Sequence, residues 1–349
     1  MRPSAATQSP DAILGRLKQL PGLIVITGNE PLLVMEAADK VRERARQEGF
    51  TDRHSFVMDS RSDWQQIALA AGSGSLFGDR QLIEITMASA KPGKSGAQAI
   101  AELARNQGQA AAQDALVLFR LPSLDRPTRD SSWCKALMSH ATVMECPDVS
   151  RTELPAWIKI RLGLQDQQAD ADTLTWMADH VEGNLLAAHQ EILKLGLLYP
   201  AGPLSMEQVQ SAVMNVARYD VMDLRDAALD GDADRALRIL NGLEAEGTAS
   251  QLALWALSED VRLLTRVREG IAQGQRATDA MRALRIFGVR EQKLSRLMNR
   301  MGPEQAQSFV AHAHDVDRLG KGIPVAGRLN DVWQELARLA MRLATSRAR

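Results

Sequence analysis

The chain has 349 residues, 45% of them hydrophobic and 24% charged, which suits two or three globular domains and excludes a disordered polymer. Aromatic residues make up only 4%, so the cores rest on Leu, Ile, Val, Met and Ala, a mixture that favours helices over sandwiches or barrels. A net charge of −1 excludes a free-standing nucleic-acid binder held by a basic excess; any contact with DNA uses a local patch or basic partners.

Met1 to Asp11 is polar, holds Pro3 and Pro10, and reads as a short frayed lead-in without the apolar core of a signal peptide. Leu23-Ile24-Val25-Ile26-Thr27 is a continuous apolar run rich in β-branched residues, the pattern of a buried parallel strand. Gly28-Asn29 follows as a turn, and a helix begins near Pro31 and runs to about Glu48, with Gly49 as its stop. Ser55–Met58, Leu82–Ile85, Leu116–Phe119 and Thr142–Cys146 read as further strands. Helices around Trp64–Ala71, Ala97–Asn106 and Trp133–Ser139 lie between them, which implies a parallel α/β sheet. Ser62-Asp63-Trp64-Gln65 has the spacing of a capping box, and Lys91-Pro92-Gly93-Lys94-Ser95-Gly96 reads as a polar surface loop.

After Cys146-Pro147 the strand signal stops. Leu154–Ile158 opens a helix, Leu174, Met177, Ala178 and Val181 line another that Gly183 closes, and Leu185–Leu198 forms the next. Pro200-Ala201-Gly202-Pro203 is a break, after which Ser205 with Gln208 reads as a capped helix start. The rest is helical, with amphipathic stretches such as Ala236–Leu243 and Leu329–Leu343. The expected division is therefore 1–146, 147–213 and 214–349, an α/β domain followed by all-α ones.

The strand–turn–helix at Leu23–Glu36 stands where a P-loop would sit. A working P-loop needs glycines whose N–H groups cradle phosphates, a Lys for the phosphate charge and a Ser or Thr for magnesium. Here the turn is Gly28-Asn29-Glu30 and the helix opens with Pro31-Leu32-Leu33-Val34-Met35, so only the first glycine remains and Glu30 repels a triphosphate. Leu116–Phe119 ends in Arg120-Leu121-Pro122 where an acidic pair would hold magnesium. Cys134 and Cys146 are too few for a structural zinc site and read as buried reduced thiols, which fits a cytosolic home. The six histidines are scattered, and His312 and His314 point to different faces of a helix, so no metal pair forms. No catalytic residue, metal or cofactor is called for.

Leu76-Phe77, set between Gly74 and Gly78, follows the helix that carries Trp64 and Ile67 on one face. Two large apolar residues among glycines and charges suit either an exposed hot spot or a core plug, and spacing alone favours the plug. Arg285, Arg290, Lys293 and Arg296 form a basic stretch open to two readings, a solvated helix face or an approach to phosphates, with the first favoured.

Four segments in order resemble the clamp-loader delta family of bacterial DNA polymerase III. They are Leu23–Arg42 centred on Gly28-Asn29-Glu30-Pro31-Leu32-Leu33, then Ser75-Leu76-Phe77, then Glu182-Gly183-Asn184-Leu185-Leu186 with Glu191 and Leu195, and last Trp333-Gln334-Glu335-Leu336. The resemblance implies an AAA+-like domain with a degenerate nucleotide site, a small helical domain and a helical collar. It implies a pentamer with gamma/tau ATPase subunits and delta-prime, and contact with the beta sliding clamp through Leu76 and Phe77, with Trp64 and Ile67 in the supporting helix. It thus reverses the preference for the plug. Set against it are an active ATPase, a delta-prime subunit and a non-catalytic adaptor. The missing lysine and acidic pair argue against the first, and the absence of a four-cysteine cluster and of a Ser-Arg-Cys finger argues against the second.

Overall fold

The computed structural model describes residues 10–72, 80–107, 114–214 and 217–346. The chain forms two compact units. The first runs to Ala178 and takes in Leu185–Val213, and the second comprises Asp179–Asn184 and the chain from Met214 on.

The first unit is built on a five-stranded parallel sheet. Its strands are β1 (Leu23–Thr27), β2 (Phe50–Met58), β3 (Arg80–Met87), β4 (Ala115–Leu121) and β5 (Thr142–Glu145), in the order β2-β3-β4-β1-β5. The two apolar runs of lowest polarity, β1 and β4, lie side by side in the middle, where both faces must be covered. Helices α1 (Pro10–Arg16) and α2 (Pro31–Gln47) cover one face through Leu14, Ala37, Ala38, Val41 and Ala45. On the other face lie α3 (Gln65–Gly72), α4 (Gly93–Gln107) and α6 (Ser132–His140), the last preceded by the short α5 (Arg126–Asp130). The unit also holds helices α7 (Leu154–Gly163), most of α8 (Ala171–Val181), α9 (Leu185–Leu198) and α10 (Met206–Ala212). Ser205 and Gln208 form the expected capping box on α10.

The second unit packs α11 (Val221–Asp230), α12 (Ala233–Ala245), α13 (Ser250–Ala272), α14 (Ala277–Ala283), α15 (Val289–Arg300), α16 (Pro303–Gly320) and α17 (Val332–Ala344) around one core. The stripe Leu336, Leu339, Ala340 and Leu343 of α17 is wholly inside it, so that stripe is core.

The α/β-then-helical class stands, and three local expectations are corrected. Pro10 and Asp11 are not lead-in but the first residues of α1, because Leu14 finds cover against the α2 side of the sheet. Ser62 and Gln65 form no capping box. Asp59 turns the chain instead, accepting from Arg61 N at 2.7 Å and Ser62 N at 2.9 Å, and Gln65 N is capped by Asp63. Gly93–Gly96 is the first turn of α4 rather than loop. Gly96 is there for closeness, since a Cβ on it would meet the Trp64 indole at 2.5 Å.

Candidate functional site

The turn after β1 is spent on its own chain. Gly28 N–H, which would face a phosphate in a P-loop, donates to Leu121 O at 3.1 Å. The side chain of Asn29 accepts from Ser123 N at 2.9 Å, and Thr27 Oγ1 donates to Pro122 O at 2.9 Å. The first amides of a helix form an anion site, but here the anion is built in: Glu30 is the N-cap of α2 and its carboxylate accepts from Leu32 N at 3.1 Å. Burial pushes the Glu30 carboxyl above its ordinary range, against the Leu32 amide, and nearby Asp148 adds to the rise. The surviving Gly28 is explained by packing, because a Cβ there would run into the Cys146 carbonyl and stand 2.9 Å from the Cys146 Cβ.

A cleft of about 1040 Å³ lies between α2 and α7, lined by Leu33, Glu36, Cys146, Trp157, Ile160 and Arg161 among others. Glu36 of α2 and Arg161 of α7 form a two-pronged ion pair in it, with Arg161 stacked 4.7 Å from the Trp157 ring centroid. Of the neighbouring strands, β5 ends in Glu145, opposite Thr27 and paired with Arg129 at 3.3 Å. Arg120 stands at the end of β4, and the one acid within β3, Glu84, lies inside the sheet and is held by arginines. Cys134 and Cys146 are free and buried, and burial raises both thiols.

Trp64 and Ile67 are both buried under α3, at 4% and 3% exposure, in the core shared with α4 and α6. The Trp64 Nε1–H donates to Asp59 O at 3.1 Å, so the start of α3 is fixed to the end of β2 by a wedge and a hydrogen bond. α3 leads directly into residues 73–79. Leu76 and Phe77 fall there, outside the described residues.

Two of the family-like motifs have local structural reasons. In Glu182-Gly183-Asn184, Gly183 has φ +74 and a Cβ would strike the Arg218 carbonyl. Arg218 N donates to Glu182 O at 2.8 Å, while the Glu182 carboxylate accepts from Arg235. In Trp333–Leu336, buried Glu335 accepts from Leu329 N at 2.9 Å and from His312 Nε2 at 2.6 Å. Arg342 can only donate, so its 3.0 Å contact makes His312 Nδ1 an acceptor and puts the ring proton on Nε2. His312 is thus a satisfied core histidine.

The basic stretch divides. Arg290 is bound to buried Asp260 at 2.8 Å, and Lys293 to Asp226 and Asp230 at 3.1 Å each, whereas Arg285 and Arg296 are exposed. The cluster of Glu84 with Arg42, Arg53 and Arg120 went unread in the sequence; its signal was a glutamate inside the apolar run Leu82-Ile83-Glu84-Ile85.

Residues 24–147 match the family model described as DNA polymerase III, delta subunit. The DNA polymerase III subunit delta of Escherichia coli (strain K12) is 28% identical over 306 residues, covering 86% of this chain and 87% of that protein. The subunit of the same name from Haemophilus influenzae is 25% identical over 352 residues, covering 96% and 98%. Among solved structures, the Bacillus subtilis DNA clamp loader delta protein is 17% identical over 93% of this chain and 96% of that one, with a TM-score of 0.49.

Proposed function

We propose, from the premise that this chain belongs to the delta-subunit family of bacterial DNA polymerase III, that it binds the beta sliding clamp and opens one of its interfaces for loading onto primed DNA. The observation that carries the reading is the spent turn: its amide and side chains are bonded to the chain itself and a carboxylate already caps α2. A protein with its nucleotide turn in this state acts by binding. It hydrolyses no ATP of its own and takes its timing from gamma/tau subunits, with delta-prime, in a cytoplasmic hetero-pentamer that serves the polymerase holoenzyme. Residues 1–146 carry the clamp contact, 147–213 form the small helical domain, and 214–349 the collar that assembles.

Clamp opening needs only a preference for the open ring, because a ligand shifts an equilibrium by its differential affinity. Leu76 and Phe77 supply the anchor. Burying both is worth about 3–6 kcal/mol before ordering costs. Trp64 and Ile67, buried beneath α3, are the supporting residues in this reading.

The test is capture of the beta clamp from the same source by the purified chain without nucleotide. Wild type binds, and the double variant Leu76→Ala/Phe77→Ala, with an unchanged far-ultraviolet spectrum, does not. Full binding by the double variant removes the Leu-Phe anchor. No binding by folded wild type shifts the reading to a delta-prime-like subunit or an adaptor.

A further inference from the structure

The sheet is bare at one corner. Along β2 beyond its bulge, Phe56 and Met58 pack into the α3/α4 side, so Arg53, Ser55 and Val57 face the α1/α2 side. All three are exposed, Val57 at 76%. Parallel sheets are ordinarily covered on both faces. α2 does close over Phe50 and Leu82 near the amino ends of the strands. Towards the carboxyl ends, the register row Val57–Thr86–Arg120 is only partly covered.

Charge at this corner is out of balance. The buried Glu84 carboxylate is saturated by Arg42, at 2.8 and 2.7 Å, and by Arg53, at 2.6 Å. Arg120 comes no nearer to it than 3.8 Å. The Nε of Arg120 and the Oγ1 of its register neighbour Thr86 are both buried without a hydrogen-bond partner. Exposed Asp39 is taken by Arg42 at 2.5 Å. Burial lowers the Arg120 guanidinium from its ordinary value; Glu84 opposes this, and repulsion from Arg42 and Arg53 adds to it. A mostly buried cation short of a counter-charge is costly, and unmet buried polar atoms are rare in native proteins.

We propose that this corner docks a neighbouring protein subunit of the clamp-loader assembly, which presents an Asp or Glu carboxylate to Arg120 and Thr86 and apolar atoms to Val57. The inference rests on the clamp-loader reading and adds to it a face and a chemistry. A planar guanidinium takes a carboxylate in two-pronged fashion. A nucleic-acid backbone is followed by several available cations, but Arg42 and Arg53 are spent on Glu84 and the adjoining surface is the apolar Val57.

The experiment uses the full chain with purified gamma/tau and delta-prime subunits, and two variants, Arg120→Met and Val57→Lys. Four quantities are read: the denaturation midpoint of the free chain, assembly by sedimentation, clamp capture, and DNA binding by the assembled complex. Arg120→Met is expected to raise the midpoint or leave it unchanged, because it removes an unmatched cation. It weakens assembly by about thirtyfold or more, the usual result of deleting one partner of a buried charge pair. Val57→Lys leaves the midpoint unchanged and also weakens assembly, and both variants keep clamp capture. Wild-type assembly by both variants overturns the docking surface alone. A lowered midpoint with intact assembly makes Arg120 structural, and a loss confined to DNA binding makes the corner a phosphate site; either result also overturns it. Wild type that captures no clamp and joins no assembly overturns the clamp-loader reading itself.

Discussion

Gly96→Ala tests whether the Trp64 wedge governs α3. Gly96 lies in the first turn of α4 and is buried. The added Cβ would stand 2.5 Å from Trp64 Nε1, 2.6 Å from its Cε2 and 2.8 Å from Pro92 Cβ. The indole would have to retreat by about 0.9 Å to regain ordinary contact at 3.4 Å. A cleft of about 640 Å³ borders the indole, but the ring is 4% exposed and bonded to Asp59 O, so moving it towards that space strains the bond. Overpacking of this kind costs about 1–3 kcal/mol, and a strained or lost indole hydrogen bond adds about 1 kcal/mol. The gain from replacing a helical glycine by alanine is about 1 kcal/mol. The net expectation is destabilisation by about 1–3 kcal/mol, read from urea denaturation followed by circular dichroism. On the proposed Leu76-Phe77 contact, clamp capture should weaken under conditions where the variant remains folded, since that pair follows α3 in the sequence. A variant about 1 kcal/mol more stable than wild type, as at an ordinary helical glycine, would refute the wedge.

Gly183→Ala should destabilise the second unit by more than the roughly 1 kcal/mol of left-handed strain, because the methyl also displaces the Arg218 carbonyl. Gly183→Asn, which tolerates the left-handed conformation, should not restore the thermal midpoint; full rescue would assign the effect to strain alone. Acid should loosen the same unit in two stages. Burial lowers the His312 pKa, with Arg328 and Arg342 adding and Glu335 opposing, so its share of stability is complete above about 6.5 and falls as pH drops through that value. Burial raises the Glu335 carboxyl, but Leu329 N, His312 and Arg338 outweigh it and hold it low, so a further loss follows below about 4.5. Urea midpoints between pH 8 and 4 read both stages, and His312→Gln should flatten the upper one; an unchanged slope would assign it elsewhere.

The central strands were legible because two-sided burial leaves a plain mark, an unbroken apolar run. β1 was read to the residue, whereas β2 was read at half its length because its amino half, Phe50-Thr51-Asp52-Arg53-His54, holds one apolar residue followed by four polar ones, which an edge strand tolerates and an apolar-run signal misses. Gly93 and Gly96 were misread as loop because glycine marks both a turn and a close approach, and only the position of the Trp64 ring distinguishes them. The helix cap supplied by Glu30 was not legible, since a carboxylate beside a proline does not say which amide it will accept from. The Arg42–Glu84–Arg120 cluster joins residues far apart in sequence, and such a juxtaposition exists only once the strand order is fixed.

The carboxylate that caps α2 is one of several bonds that interlock the turn after β1. Placing a lysine in the first turn of α2 would add a charge for triphosphate while Glu30 still occupied the helix end, Gly28 N–H still served Leu121, and Asn29 still held Ser123. Each of these bonds does useful work for the fold, so undoing any one costs stability before any ligand can return it. The turn is thus held by three small commitments rather than by one side chain. Gly28 itself is required by the close approach of Cys146, a packing constraint that owes nothing to phosphate.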